Sequence, residues 1–206
     1  MVVEPEEMHR GTDAQGTPWA SCGVRKDAGD DADATDGALV VVRVSLVNTL
    51  GTTIEGGAGV GRVTRAGLDQ PVGAAAINSV PRAMIASELE RIAREHGWQG
   101  GFAVEVSVPG GEEIARKTFN PRLGIEGGIS ILGTSGIVRP MSEEALVESI
   151  RLEMRMRRAQ GLRDLVLVPG NYGQDWAQDK EDVDPTHIVS CSNFLGEALD
   201  YAGVLG

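Results

Sequence analysis

The stretch Phe102-Ala103-Val104-Glu105-Val106-Ser107-Val108 alternates without a break. Phe102, Val104, Val106 and Val108 fall on one side, and Ala103, Glu105 and Ser107 on the other. That is the period of a strand with one buried face. Working outward, Ala38 to Leu46 begins as a continuous apolar run and then alternates at Val42, Val44 and Leu46, which predicts a second strand. Between the two, a helix is expected from about Pro81 to His96. Asn78 or Ser79 can cap it, Pro81 suits its first turn and Gly97 stops it, while Ile85, Leu89 and Ile92 form the expected buried stripe. Strands and a helix without strict alternation predict an α+β first half.

The second half has a different grammar. Ile129 to Leu132 reads as a short apolar strand followed by Gly133-Thr134-Ser135-Gly136. Ser142 then caps a helix running to about Gln160, with Glu143 and Glu144 in its first turn and Arg155, Arg157 and Arg158 at its end, as the helix dipole favours. Leu165 to Val168 is a strand leading to Pro169-Gly170-Asn171-Tyr172. His187 to Cys191 is another, leading to Ser192-Asn193 and a helix striped by Leu195, Ala198, Leu199 and Ala202. Strand, turn, helix, repeated, is the grammar of a parallel α/β sheet, whose ligands sit beyond the carboxyl ends of the strands. The expected organisation is an α+β domain over residues 1–126 and a Rossmann-like α/β domain with a parallel sheet over 127–206. The second domain is expected to be truncated, because a further strand should pair after the last helix.

Composition narrows the function. With a formal net charge of -11, the chain lacks the basic face that a nucleic-acid binder or a protein docked on anionic lipid needs. No apolar run is long enough to span a bilayer, and Met1 to Arg10 lacks the order of a signal peptide, so a cytoplasmic enzyme is expected. Cys22 and Cys191 are too few for a disulfide framework. His9, His96 and His187 are scattered, and no protein-held metal is expected.

Two glycine-rich segments invite a phosphate-loop reading. In Gly56-Gly57-Ala58-Gly59-Val60-Gly61 the position that needs the third glycine of the dinucleotide fingerprint is Arg62, so a turn is expected, with or without a ligand over it. Gly133-Thr134-Ser135-Gly136 follows a strand and is either a ligand loop or a simple turn. No Gly-x-Ser-x-Gly elbow occurs, and no hydrolytic triad is evident.

Read in order, these segments resemble the cobalt-precorrin-5B (C-1) methyltransferase family, CbiD. The resemblance is carried by Lys26-Asp27-Ala28-Gly29-Asp30-Asp31, by Gly59-Val60-Gly61-Arg62-Val63-Thr64, and by Ala76-Ile77-Asn78 with Val80-Pro81-Arg82. It continues through Lys117-Thr118-Phe119-Asn120-Pro121-Arg122-Leu123-Gly124, Gly127 to Thr134, Pro169-Gly170-Asn171-Tyr172-Gly173 and Cys191-Ser192-Asn193-Phe194. Against the family pattern the chain lacks a Thr-Gly-Thr-Cys-Ala run and the elements expected beyond Gly206, so a central piece lacking both ends is expected.

The resemblance implies methyl transfer from S-adenosyl-L-methionine to C-1 of a cobalt-bearing corrinoid in anaerobic cobalamin synthesis. The substrate brings its own cobalt. The rival reading is a non-catalytic corrinoid-binding fragment; a homo-oligomer is open. A polycarboxylate substrate needs arginines, which the resemblance places at Arg62, Arg82 and Arg122, with Asn78 and Asn120 for amide or carboxylate oxygens. Lys26, Asp27, Asp30 and Asp31 have three readings: ordering a loop, binding substrate, or closing a turn. For the cofactor the strand-end loops are expected. Gly133, Thr134, Ser135 and Gly136 are named there, with Thr134 and Ser135 for the methionine end. Gly170, Asn171, Tyr172, Ser192 and Asn193 are named with them, Asn171 and Asn193 for ribose or carboxylate.

Overall fold

The structure is a computed structural model and describes residues 4–28, 33–133, 143–181 and 183–206. The alternating stretch is β6 (Gly101–Ser107), and the apolar run is β3 (Leu39–Val47). They pair antiparallel at the centre of a five-stranded sheet. β1 (Glu6–Thr12) and β2 (Pro18–Arg25) extend it antiparallel beyond β3. β4 (Thr52–Gly56) adds a parallel edge beside β6, giving the order β1-β2-β3-β6-β4. The sheet is therefore mixed, and the described chain is mixed α and β.

The inward face of β6 is as its alternation requires: Phe102, Val104, Val106 and Val108 are all buried. Val42, Val44 and Leu46 of β3 pack against them, as do Ile85, Leu89 and Ala93 of α1 (Ser79–His96). Burying a side chain of this size stabilises by about 1.5–3 kcal/mol, so this one layer dominates the unit. The expected stripe of α1 needs correction at its end: Ile92 is 40% exposed and Ala93 takes its place. The helix stops at Gly97 in the left-handed conformation, with its amide donating to Ala93.

The cap of α1 also differs from expectation. Asn78 occupies the capping position but its side chain makes no capping bond. The Asp69 carboxylate does the work from ten residues upstream, accepting from the Ser79 amide at 2.6 Å and the Ser79 hydroxyl at 2.8 Å. Burial alone would raise the Asp69 carboxyl, but hydrogen bonds from Gln70 and Ser79 outweigh it and hold it below the usual carboxylate range. A depressed folded value means the contribution is complete above the unfolded carboxyl value of about 3.9 and fades as pH falls through the folded one. Asp69→Asn is expected to cost about 1 kcal/mol at neutral pH. In urea melts, the gap to the parent should close as pH falls from 6 to 3; a gap independent of pH would show that the charge is irrelevant.

The glycine-rich turn is explained by backbone convergence. A Cβ on Gly59, which sits at φ +74°, would meet the Val108 carbonyl oxygen, and one on Gly111 or Gly128 would meet that of Gly59. The amides here are already used: Gly57 donates to Val106, Gly61 to Ile129, and Val108 to Ala58. Three chain segments cross here with no room for side chains. β5 (Arg62–Val63) then pairs with β7 (Ile125–Glu126). A short helix, α2 (Gly111–Ala115), lies before β7.

Residues 129–132 are not a strand of a parallel sheet. Ile129 and Ile131 form single bridges to Val60 and Ile77. Their amides donate to Gly59 and Ala76, and their side chains join the core around Ile77. Apolar content read locally as a strand is here the closing wall of that core.

The chain divides into two compact units, residues 1–64 with 69–140, and residues 65–68 with 141–206. In the second, β8 (Val166–Val168) and β9 (Ile188–Ser190) pair in parallel, Leu167 opposite Val189. Three helices accompany them: α3 (Glu143–Ala159), α4 (Gly170–Glu181) and α5 (Leu195–Leu205). Ser142, the expected cap of α3, lies outside the described residues. The buried face of α5 is rotated from the expected stripe: Ala198, Tyr201 and Leu205 pack on Met154 and Val189, while Leu195 and Leu199 are exposed. α4 was not expected, because Gly170 to Glu181 is polar, and among its described side chains Ala177 is the one that is buried. No helix of the described residues is long and apolar enough to cross a membrane.

Candidate functional site

The second unit concentrates its unusual backbone at the carboxyl ends of its parallel strands. β8 runs through Pro169 into α4 with almost no connection. Gly170 makes the turn at φ +70°, and a Cβ on Gly173 would press on Pro169 and Val168, so both glycines are needed to start a helix this close to a strand end. Four amides at the start of α4 have no partner within the helix, and the dipole favours negative or electron-rich ligand atoms there. Next to it, β9 ends at Cys191, whose amide donates to the Val168 carbonyl at 2.9 Å. The buried thiol bonds the same oxygen at 3.4 Å, and burial pushes the thiol up from its ordinary value. Ser192 follows at φ +48°, a conformation rare for a residue with a side chain. Ser192, Asn193 and Tyr172 are exposed.

Of the residues named for the cofactor, Gly170, Asn171 and Tyr172 thus share one strand end with Ser192 and Asn193 on the next. Gly133 lies in the first unit, exposed at φ +135°. Thr134, Ser135 and Gly136 lie outside the described residues.

The residues named for the substrate divide by what already holds them. The Arg82 guanidinium donates to three backbone carbonyls: Ile77 at 2.7 Å, Ile54 at 2.7 Å and Ala75 at 3.4 Å. Arg62 pairs with Glu55 at 3.1 Å and reaches the carbonyls of Gly73 and Gly56. Lys26 is bound to Asp33 and Thr35, and Asp36 accepts from the Ala28 amide. Asn120 is buried, accepting from the Ser130 hydroxyl at 3.3 Å. Asn78 is half-buried at the start of α1. Arg122 is exposed, its guanidinium 5.8 Å from the Phe119 ring centre. Asp27 is described and engaged, while Asp30 and Asp31 lie outside the described residues.

Sequence reasoning passed over the outward face of the five-stranded sheet. Register places His9, Ser21, Arg43, Glu105 and Glu55 in one row across all five strands. The adjacent row carries Trp19, Ser45, Ala103 and Thr53. Arg43, Ser45, Thr53, Glu55 and Glu105 line an open hollow of about 300 Å³. The signal was present: Arg43 is the one charged residue in the Ala38 to Leu46 run, on the side that alternation turns outward.

The CbiD family model matches residues 7–140. The cobalt-precorrin-5B C(1)-methyltransferase of Ruminiclostridium cellulolyticum is 52% identical over 182 residues, covering 88% of this chain and 47% of that protein. The protein of the same name from Thermoanaerobacter sp. is 51% identical over 187 residues, covering 91% and 50%. The crystal structure of a cobalamin biosynthesis protein from Archaeoglobus fulgidus aligns with a TM-score of 0.46 at 27% identity, over 96% of this chain and 66% of that one. The chain spans about half the length of the curated relatives it matches.

Proposed function

The chain belongs to the CbiD family, and from that premise we propose that it serves methyl transfer from S-adenosyl-L-methionine to C-1 of cobalt-precorrin-5B, in anaerobic cobalamin synthesis. The observation that carries the reading is roughly half identity to proteins of that name, sustained over about nine tenths of the chain. The chemistry suits the residues present. A sulfonium methyl is already a strong electrophile, so the protein mainly aligns it with the ring carbon and excludes water. Cobalt arrives as part of the substrate.

We place the methyl donor at the strand ends of the second unit and read that unit as part of a Rossmann-like layer. Parallel β8 and β9 with a helix between them support this, as does the Gly170 to Gly173 turn, since ligands of such sheets lie beyond the carboxyl ends of the strands. Gly170, Asn171, Tyr172, Ser192 and Asn193 are the proposed contacts. The first unit is the proposed corrinoid side, with Arg122 its exposed candidate among the arginines of the family motifs. A cytoplasmic location follows from the proposed biosynthetic role.

Calorimetric titration of the chain with S-adenosylhomocysteine tests the placement. Binding is expected, and Asn193→Ala should weaken it about tenfold, the equivalent of one lost hydrogen bond of about 1.4 kcal/mol. No binding by the folded chain would remove the cofactor site from it.

A further inference from the structure

The arginines that the family motifs put forward in the first unit, Arg62, Arg82 and Arg122, are each engaged by the fold itself, whereas the guanidinium of Arg43 is left for another partner. Arg43 lies at the centre of the five-stranded sheet, on the face opposite α1. Its neighbour across β6 is Glu105, and side chains so paired have Cβ atoms about 5 Å apart. Among the described residues neither forms an ion pair, with the other or with anything else. Arg43 instead lies over the Trp19 ring, 4.3 Å from its centre. Stacking on an aromatic face holds the planar fork in one orientation without using its N–H donors. A guanidinium so held is prepared for a planar, bidentate anion.

The surroundings limit what that anion is part of. Ser45 and Thr53 supply hydroxyls beside Arg43, and the sheet offers a flat surface roughly 20 Å across its five strands. Glu55 is already neutralised by Arg62. Asp13 is held below the usual carboxylate range by the Thr17 amide first, and only last by the charge of Arg43. Glu105 is the one remaining negative group in the hollow, and it opposes an arriving anion.

We propose that Arg43, oriented by Trp19 and flanked by Ser45 and Thr53, anchors a carboxylate arm of the corrinoid substrate on this open sheet face. The inference rests on the corrinoid reading above and names the residue in the first unit that the motifs did not. Arg43 is then a substrate-binding residue, Trp19 positions it, and Glu105 sets a selective penalty against anions that do not reach the fork.

The test uses the whole chain, a cobalt corrinoid with free carboxylate arms, and the same corrinoid with its arms methyl-esterified. Equilibrium dialysis read by corrinoid absorbance gives the dissociation constants. The free acid is expected to bind at least tenfold tighter than the ester. Arg43→Gln should lower that preference severalfold while leaving ester binding unchanged, and Arg43→Lys should restore part of it. Glu105→Gln should tighten binding of the acid severalfold, because a like charge is removed. An acid affinity unchanged in Arg43→Gln, or weakened in Glu105→Gln, overturns this inference and leaves the corrinoid reading standing. A parent chain that binds neither form overturns both.

Discussion

Gly59→Ala is expected to lower the unfolding midpoint of the first unit by about 10 °C, corresponding to roughly 2–4 kcal/mol at 2–4 °C per kcal/mol. Two causes add. The backbone at φ +74° is strained for any residue with a Cβ, a cost of about 1 kcal/mol. The new methyl would also run into the Val108 carbonyl oxygen, and neighbouring backbone must move to make room, at about 1–3 kcal/mol. Gly110→Ala separates the two. Gly110 sits at φ +78° but a Cβ there meets nothing within 4 Å, so only the strain remains. Equal losses at the two positions in differential scanning calorimetry would mean that the crossing of segments 59, 111 and 128 has room for a methyl group.

Arg82→Met should cost about 3 kcal/mol, because it keeps much of the apolar stem and leaves the Ile54, Ile77 and Ala75 carbonyls without their charged donor. Arg82→Lys should rescue little, since an ammonium cannot fork to three separated carbonyls. Measured below the unfolding range, corrinoid affinity of the Arg82→Met chain should match the parent. A chain of undiminished stability that has lost corrinoid affinity would instead make Arg82 a ligand for substrate.

The contrast between Arg82 and Arg43 shows how far a site can be read from a linear chain. Arg82 stands in a Val80-Pro81-Arg82 motif and was named for substrate; its donors go to strand and loop carbonyls up to 28 residues away. Arg43 was passed over as one charge in an apolar strand. What separates them is which distant groups arrive beside each guanidinium, and no local pattern encodes that. The same holds for the cap of α1, supplied by Asp69 rather than by the adjacent Asn78.

The elements divide in a similar way. β3, β6, α1 and the helical run of α3 were legible because each buries one face with a regular period. β1 was not, because all seven of its residues are exposed at the sheet edge and carry no alternation. β4 contributes one isoleucine among polar residues, and α4 buries chiefly Ala177. Ile129 and Ile131 were recognised as apolar and extended but assigned to the wrong partners.

By itself, then, the sequence determined the strands and helices that alternate polar and apolar residues, the acidic character of the chain, and the ordered motifs of its family. Periodicity and motif are local, and local chemistry is enough to specify them. Only the tertiary structure decided that the glycine-rich turn is a crossing of backbones and that the Arg82 guanidinium donates to three backbone carbonyls. It alone set Arg43 open above Trp19, because hydrogen bonding and ion pairing depend on groups that folding brings together from far apart in the chain.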